Sequence, residues 1–145
     1  MSQPPAQRPP GPLTPADLSA DELRFLQQTF DLAREGATDE LARRLDAGVP
    51  VDLTNSGGDT LLVLAAYHAH EDTVRVLLAR GADHARVNDK GQTALGAAVF
   101  RRAGTIVSDL LAAGADPELG RQSGVAVAQV FELPEMLELL RRPRP

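Results

Sequence analysis

Histidine is the residue type in this sequence with the clearest potential for metal binding or acid-base chemistry. Two of the three histidines stand close together. The run His68-Ala69-His70-Glu71-Asp72 places two imidazoles beside two carboxylates, which are ligand types that hold transition metals. A metal site needs three or four converging ligands, so a helix-end histidine followed by a turn histidine is the competing interpretation. We keep as an alternative hypothesis a metal- or small-ligand-binding accessory protein that uses His68 and His70.

Nucleophilic catalysis finds little support in the sequence. The chain has no cysteine, which excludes disulfides, thiolate metal sites and a cysteine nucleophile. No Gly-x-Ser-x-Gly segment is present, and the glycine-rich run at 55–60 lacks the Gly-Lys-Ser/Thr ending that holds phosphates. We therefore predict that the protein is not an enzyme and carries no cofactor.

Composition narrows the classes of partner. The 145 residues include 15 Lys and Arg against 20 Asp and Glu, and this net charge of −5 argues against nucleic acid, whose phosphates attract clustered positive charge. No apolar run approaches the roughly 20 residues of a membrane-spanning helix, so we expect no membrane contact. The first residues lack the hydrophobic segment of a secretory signal, and we expect a cytoplasmic location.

The elements that would position any site follow a fixed period. Glycines recur every 33 residues in two sets, which are Gly48, Gly81 and Gly114, then Gly58, Gly91 and Gly124. The sequence around the first set nearly repeats, as in Leu77-Leu78-Ala79-Arg80-Gly81-Ala82-Asp83 and Leu110-Leu111-Ala112-Ala113-Gly114-Ala115-Asp116. A period of this length indicates one supersecondary unit stacked several times. We interpret the first set as helix stops and the second set as the ends of loop turns.

Each unit is predicted to contain two helices. Ser19 and Glu22 have the spacing of a capping box, and Gly36 is expected to end the helix that they begin. Later helices are predicted at about 39–47, 60–67, 71–80, 93–100, 105–113, 125–132 and from Pro134 onward. The last unit lacks three or four residues relative to the others. Ser19 onward is expected to cover the N-terminal end of the stack.

The predicted domain organisation follows from these units. Residues 1–18 contain more than half of the chain's 11 prolines and are predicted to be a disordered tail. The repeat domain is predicted to span residues 19–142, with a short tail at 143–145. Its four repeats are expected at about 24–57, 58–90, 91–123 and 124–142.

These units resemble the ankyrin repeat. The run Asp59-Thr60-Leu61-Leu62-Val63-Leu64-Ala65-Ala66 and the Gly-Ala-Asp that closes each central unit match its pattern, which has a period of 33, two helices and a β-turn. The resemblance implies an all-α ankyrin repeat solenoid of helix-turn-helix units joined by short β-turn loops. The drift of the sequence from the family consensus is typical of a natural, small, bacterial-type member.

Departures from the family signature lead to two further expectations. Its Pro-Leu-His is Leu61-Leu62-Val63 in one repeat and Ala94-Leu95-Gly96 in the next. Because that histidine ties loop to helix in the family, we expect a weaker hydrogen-bond framework and more apolar stacking. The inter-helix Gly-His is also absent from the repeat at 91–123, where we expect Gly104 to form the turn.

The family resemblance implies a protein-protein interaction module, an adaptor or an inhibitor that binds a partner protein on its concave loop and first-helix surface. We expect a monomer. The positions that carry over to the family's variable surface are Arg34, Tyr67, His68, Phe100 and Arg101 on first helices, with Ser56, Asp59, Asp89, Lys90 and Gln92 at loop tips. Tyr67 and Phe100, one period apart, are predicted to be the binding hot spot. The alternative is that either ring folds over its neighbour and helps the units to stack.

Overall fold

The computed structural model describes residues 18–143. The described chain forms eight helices, which are α1 (Ala20–Glu35), α2 (Thr38–Asp46), α3 (Leu61–Tyr67), α4 (Glu71–Ala79), α5 (Ala94–Phe100), α6 (Gly104–Ala112), α7 (Gly124–Val130) and α8 (Pro134–Arg141). The all-α architecture is therefore confirmed. Almost all of the predicted tail at 1–18, and part of the one at 143–145, lie outside the described residues.

The helices pack in two layers. The first helices of the pairs (α1, α3, α5 and α7) contact one another in order, and so do the second helices (α2, α4, α6 and α8). Buried aliphatic side chains fill the space between and within the layers, among them Leu41, Leu62, Leu77, Leu95 and Leu110. Each pair thus buries its apolar surface against its neighbours, as expected for a stack of repeats.

Hydroxyl side chains start the first helices. Ser19 and Glu22 form the predicted capping box at α1. The hydroxyl oxygens of Thr60, Thr93 and Ser123 accept hydrogen bonds of 3.0–3.1 Å from backbone N–H groups three residues later. These caps satisfy N–H groups that have no partner within the helix.

A single left-handed residue makes the turn between the two helices of each pair. Gly36 holds this position in the first pair, with φ of 71°, followed by Ala69 (59°), Arg102 (56°) and Glu132 (52°). The expectation that Gly104 forms the third turn is wrong, because Gly104 is the first residue of α6. Arg102 takes the turn although left-handed backbone costs a residue with a side chain about 1–2 kcal/mol.

The prediction for the first glycine set is confirmed, and the prediction for the second set is confirmed at two of its three positions. Gly48, Gly81 and Gly114 follow the ends of second helices with φ of 117°, 82° and 99°, as predicted. Gly58 and Gly91 close loop turns, each donating its N–H to the carbonyl of Asn55 or Asn88 at 3.0 Å.

The prediction for the third member of the second set, Gly124, is wrong. Ser123 caps α7, so Gly124 is the first helical residue. This cap follows Thr93 by 30 residues, whereas Thr93 follows Thr60 by 33. The three missing residues therefore come from the loop before α7 and not from the helices, since α5 and α7 both have 7 residues.

The loops carry a hydrogen-bond framework of their own. The Asn88 side chain is 7% exposed, and its Oδ1 accepts from the N–H groups of Lys90 and Gln92 at 3.0 and 2.8 Å. Neighbouring loops are joined because the N–H of Asp89 donates to the carbonyl of Gly57 at 3.0 Å. Neighbouring loops thus bond to each other directly, and the expected weakening of loop-to-helix bonds stays a prediction. Within residues 18–143, no helix has the length and apolar character needed to cross a membrane.

Candidate protein-binding surface

Two aromatic rings stand at the exposed ends of otherwise buried helices. Six of the seven residues of α3, and six of the seven of α5, are buried. The seventh is Tyr67 in α3, which is 37% exposed, and Phe100 in α5, which is 43% exposed. The solvent-facing part of these first helices is therefore mainly aromatic.

A third ring extends the row. Tyr67 and Phe100 stack with ring centroids 6.0 Å apart and an interplanar angle of 9°. Phe100 then meets Phe131 edge to face, at 5.3 Å and 71°. We call Tyr67, Phe100 and Phe131 the aromatic row. The rings contact one another, as the stacking alternative expects, and they also stay exposed, so their role as a binding hot spot stays a prediction.

Sequence reasoning missed Phe131. It follows Phe100 by 31 residues, so it falls outside the 33-residue register in which Tyr67 and Phe100 were found. The deletion in the last loop moves Phe131 to the C-cap of α7, the place that Arg101 holds at α5. Aligning the last repeat with the preceding one, after allowing for the three missing residues, places Phe131 opposite Arg101 and so beside Phe100.

The aromatic row borders a groove of about 220 Å³. Helix α5 contributes Gly96 and Ala97, α7 contributes Val127, and Gln92 and Gln122 come from the loops. Gly96 stands one period after Val63. A Cβ added at Gly96 would collide with the carbonyl oxygen of Gln122, so the loop lies directly against the helix here.

Basic side chains lie beside the row. His68 follows Tyr67 and touches its ring edge to face at 5.2 Å, and Arg101 directly follows Phe100. The pKa of His68 is lowered from 6.5, first by partial burial and then by the charges of His70, Arg101 and Arg34. Arg34 is itself paired with Asp31 at 2.8 Å. Arg101 is exposed and supplies a full positive charge next to the rings.

The predicted loop-tip residues fall into two groups. Ser56, Asp89 and Lys90 are exposed. The other two are engaged within the protein, since Asp59 accepts from the Asn88 amide at 2.7 Å, and Gln92 accepts from the same amide at 2.8 Å. These two side chains therefore help to hold the loops, and the function predicted for all five stays a prediction.

His70 has a structural partner. Its Nε2 lies 2.7 Å from the carbonyl oxygen of Arg34, and its ring packs over Gly36 in the preceding turn. The rings of His68 and His70 are 6.4 Å apart. Within residues 18–143 no group of three or more His, Cys, Asp or Glu is placed to hold a metal ion, so nothing in this part of the chain supports the metal-binding alternative.

Comparison with known proteins gives matches along most of this architecture. A sequence model of ankyrin repeats matches residues 30–120 as three copies. A protein of Pseudomonas aeruginosa named as an ankyrin repeat protein is 47% identical over 60 residues, which are 41% of this chain and 35% of that protein. An ankyrin repeat-containing protein of Treponema pallidum is 32% identical over 111 residues, 74% of this chain and 37% of that protein.

A mouse protein also matches. An inactive serine/threonine-protein kinase of Mus musculus is 35% identical over 97 residues, 67% of this chain and 7% of the kinase. The chain thus spans about a third of the length of the two bacterial relatives. The family match covers more than half of the chain and runs from α1 to the loop after α6. The chain therefore belongs to the ankyrin repeat family.

Proposed function

We propose that the protein binds a partner protein with the face formed by the ends of its first helices and the adjoining loops. Ankyrin repeats generally serve as protein-protein interaction modules, and the family is typically non-enzymatic. The partner would be held in the manner of an adaptor or a masking inhibitor. We call this surface the first-helix face.

The observation that carries the proposal is the aromatic row. The chain has only five aromatic residues, and three of them form one contiguous, partly exposed apolar patch. Exposed apolar patches that are rimmed by polar groups are typical of protein interfaces. Tyrosine and arginine are also enriched among residues that dominate binding energy, and Tyr67 and Arg101 are both at this place.

The experiment starts with a partner identified by affinity capture from the native cell and purified. Binding of that partner to wild type and to Tyr67→Ala/Phe100→Ala is then measured by calorimetry. We expect the double variant to lose at least about 2 kcal/mol of binding free energy, since both rings belong to the proposed hot spot. Its melting temperature should fall only slightly, because both rings are already partly exposed.

Phe25→Ala is the matched control. Phe25 is 41% exposed, close to the 43% of Phe100, but it lies on α1 under the guanidinium of Arg44, away from the aromatic row. This variant should bind the partner as wild type does. Equal affinity of the double variant and wild type would contradict the proposal.

A further inference from the structure

The groove beside the aromatic row can accept one apolar side chain of a partner. Its volume of about 220 Å³ lies against the Tyr67 and Phe100 rings on one side and the Gln92 and Gln122 loops on the other. At Gly96 the Gln122 loop lies directly against α5, because an added Cβ would collide with the carbonyl oxygen of Gln122. Such a pocket, with apolar walls and a few amide groups, fixes an inserted side chain in position.

Basic side chains act together at His68, whose protonated form is disfavoured by His70, Arg101 and Arg34, although the chain as a whole carries a net charge of −5. Arg101 adjoins Phe100, His68 contacts Tyr67, and His70 stacks on His68 at 6.4 Å. Arg34 adds a guanidinium that Asp31 partly neutralises at 2.8 Å. On α1 the place of His68 is taken by Glu35, so the basic side chains at this repeat position are those of α3 and α5.

Given the proposed function, on which this inference rests, we propose that the bound element is an acidic segment of a partner protein. An aliphatic or aromatic side chain of that segment enters the groove, and neighbouring carboxylates contact Arg101 and His68. A guanidinium forms strong, directional hydrogen bonds with a carboxylate. A partner segment that covers the rings would reduce the access of water to that pair, which strengthens the attraction. A lysine- or arginine-rich segment would place like charges together and bind poorly.

The second histidine supports the same choice of partner. His70 is held by the carbonyl of Arg34 at 2.7 Å, which keeps its ring next to His68. A carboxylate bound at His68 would offset the cationic neighbours that now disfavour its protonated form. The site thus gains from an anion in two ways, through Arg101 directly and through protonation of His68.

The test is a selection of short random peptides displayed on phage against the full-length protein, followed by fluorescence polarisation with the enriched peptides. We expect enriched peptides to combine Asp or Glu with Leu, Ile, Phe or Trp. Arg101→Glu should weaken their binding by about tenfold or more through like-charge repulsion, and Arg101→Gln by a smaller factor. Arg43→Glu on α2, a side chain that is 70% exposed, is the matched charge reversal and should leave affinity unchanged.

The outcomes separate this inference from the proposed function. Enriched peptides that are neutral or basic, yet lose binding in Phe100→Ala, would overturn the acidic segment and retain the first-helix face. Acidic peptides that bind Arg101→Glu as tightly as wild type would also overturn it. Failure to enrich any peptide sensitive to Phe100→Ala would count against both proposals. Thermal melts of each variant identify any loss of binding that comes from unfolding.

Discussion

The two faces of the stack use the same repeat period in opposite ways. On the second-helix face, formed by α2, α4, α6 and α8, the period places opposite charges together. Arg80, the C-cap residue of α4, donates two hydrogen bonds of 3.0 and 3.1 Å to Asp46 at the end of α2. Arg75 of α4 donates one of 3.0 Å to Asp109 of α6. On the first-helix face the period places aromatic rings together, with cations beside them.

The two faces differ in how much a partner could gain by covering them. Charges on the second-helix face are paired with one another across repeats, so a partner would have to displace those pairs. Rings on the first-helix face contact one another only in part, and Phe131 is still 52% exposed. Covering such apolar area releases free energy at about 25 cal/mol per Å². The first-helix face therefore offers the larger gain on binding.

The largest expected effect comes from the core that supports both faces. Leu77 and Leu110 are fully buried, and truncation of either to alanine removes packing between the two layers. We expect Leu77→Ala or Leu110→Ala to lower the free energy of unfolding by about 2–5 kcal/mol. Urea denaturation measures this loss. Val87→Ala, at a side chain that is 42% exposed, is the control and should change stability little.

The turns that join the two layers give the next effect, of opposite sign. Ala69 and Arg102 hold left-handed backbone with φ of 59° and 56°. Replacing either with glycine should raise the free energy of unfolding by about 0.5–1 kcal/mol, because relief of strain outweighs the added chain entropy. Gly36→Ala, in the same turn of the first repeat, should destabilise, since its Cβ would lie 2.5 Å from Nδ1 of His70. A lower melting temperature for Ala69→Gly would show that the turn carries no strain.

The ion pairs of the second-helix face give a smaller, salt-dependent effect. Arg80 lowers the pKa of Asp46, first through its hydrogen bonds. A carboxyl with a lowered pKa stabilises the fold above its unfolded value, here 3.8, and this stabilisation is lost as pH falls through the folded value. Asp46→Asn should therefore lower the melting temperature slightly at neutral pH, and less in high salt.

A double-mutant cycle supplies the control for this pair. Asp46→Asn, Arg80→Gln and the double variant should show coupling that shrinks as salt is added. Partner binding should be the same in all three. Weakened binding would mean that the second-helix face also contacts the partner, and the contrast between the faces would fail.

The smallest effect concerns His68 and pH. Partial burial and the neighbouring cations lower its pKa below 6.5, so the fold favours the neutral ring. The unfolded chain then binds more protons as pH falls below 6.5, and His68 destabilises the protein in that window. His68→Gln should therefore lose less unfolding free energy than wild type on acidification, and its unfolding free energy should equal that of wild type at about pH 8. An NMR titration that places the His68 pKa above 6.5 would contradict this.

Sequence reasoning reached the repeat architecture because period and caps are local signals. The helix stops at Gly48 and Gly81, the cap at Ser19 and the first-helix aromatics all lie where they were predicted. The errors arise where repeats differ in length or where strain is tolerated. A three-residue deletion misplaced Gly124 and hid Phe131, whereas Arg102 adopts a backbone for which glycine was expected.

The hydrogen bonds between loop-tip side chains could not be predicted from the sequence for another reason. Asp59 and Gln92 were predicted as free to contact a partner, but both accept hydrogen bonds from Asn88. The bond to Asp59 links side chains 29 positions apart and depends on how one loop stacks on the next. Repeat periodicity predicts that two loops are neighbours, but it does not predict which side chains they exchange.

Partner binding by the first-helix face is tested most directly by chemical-shift mapping. Signals of the labelled protein are followed as an affinity-captured partner, or an enriched peptide, is added. We expect the perturbed signals to cluster at Tyr67, Phe100 and Phe131 and at the adjoining Gln92 and Gln122 loops. Signals from α4 and α6, where Arg75 and Asp109 are paired, should stay unchanged. Perturbations confined to the second-helix face would contradict partner binding by the first-helix face.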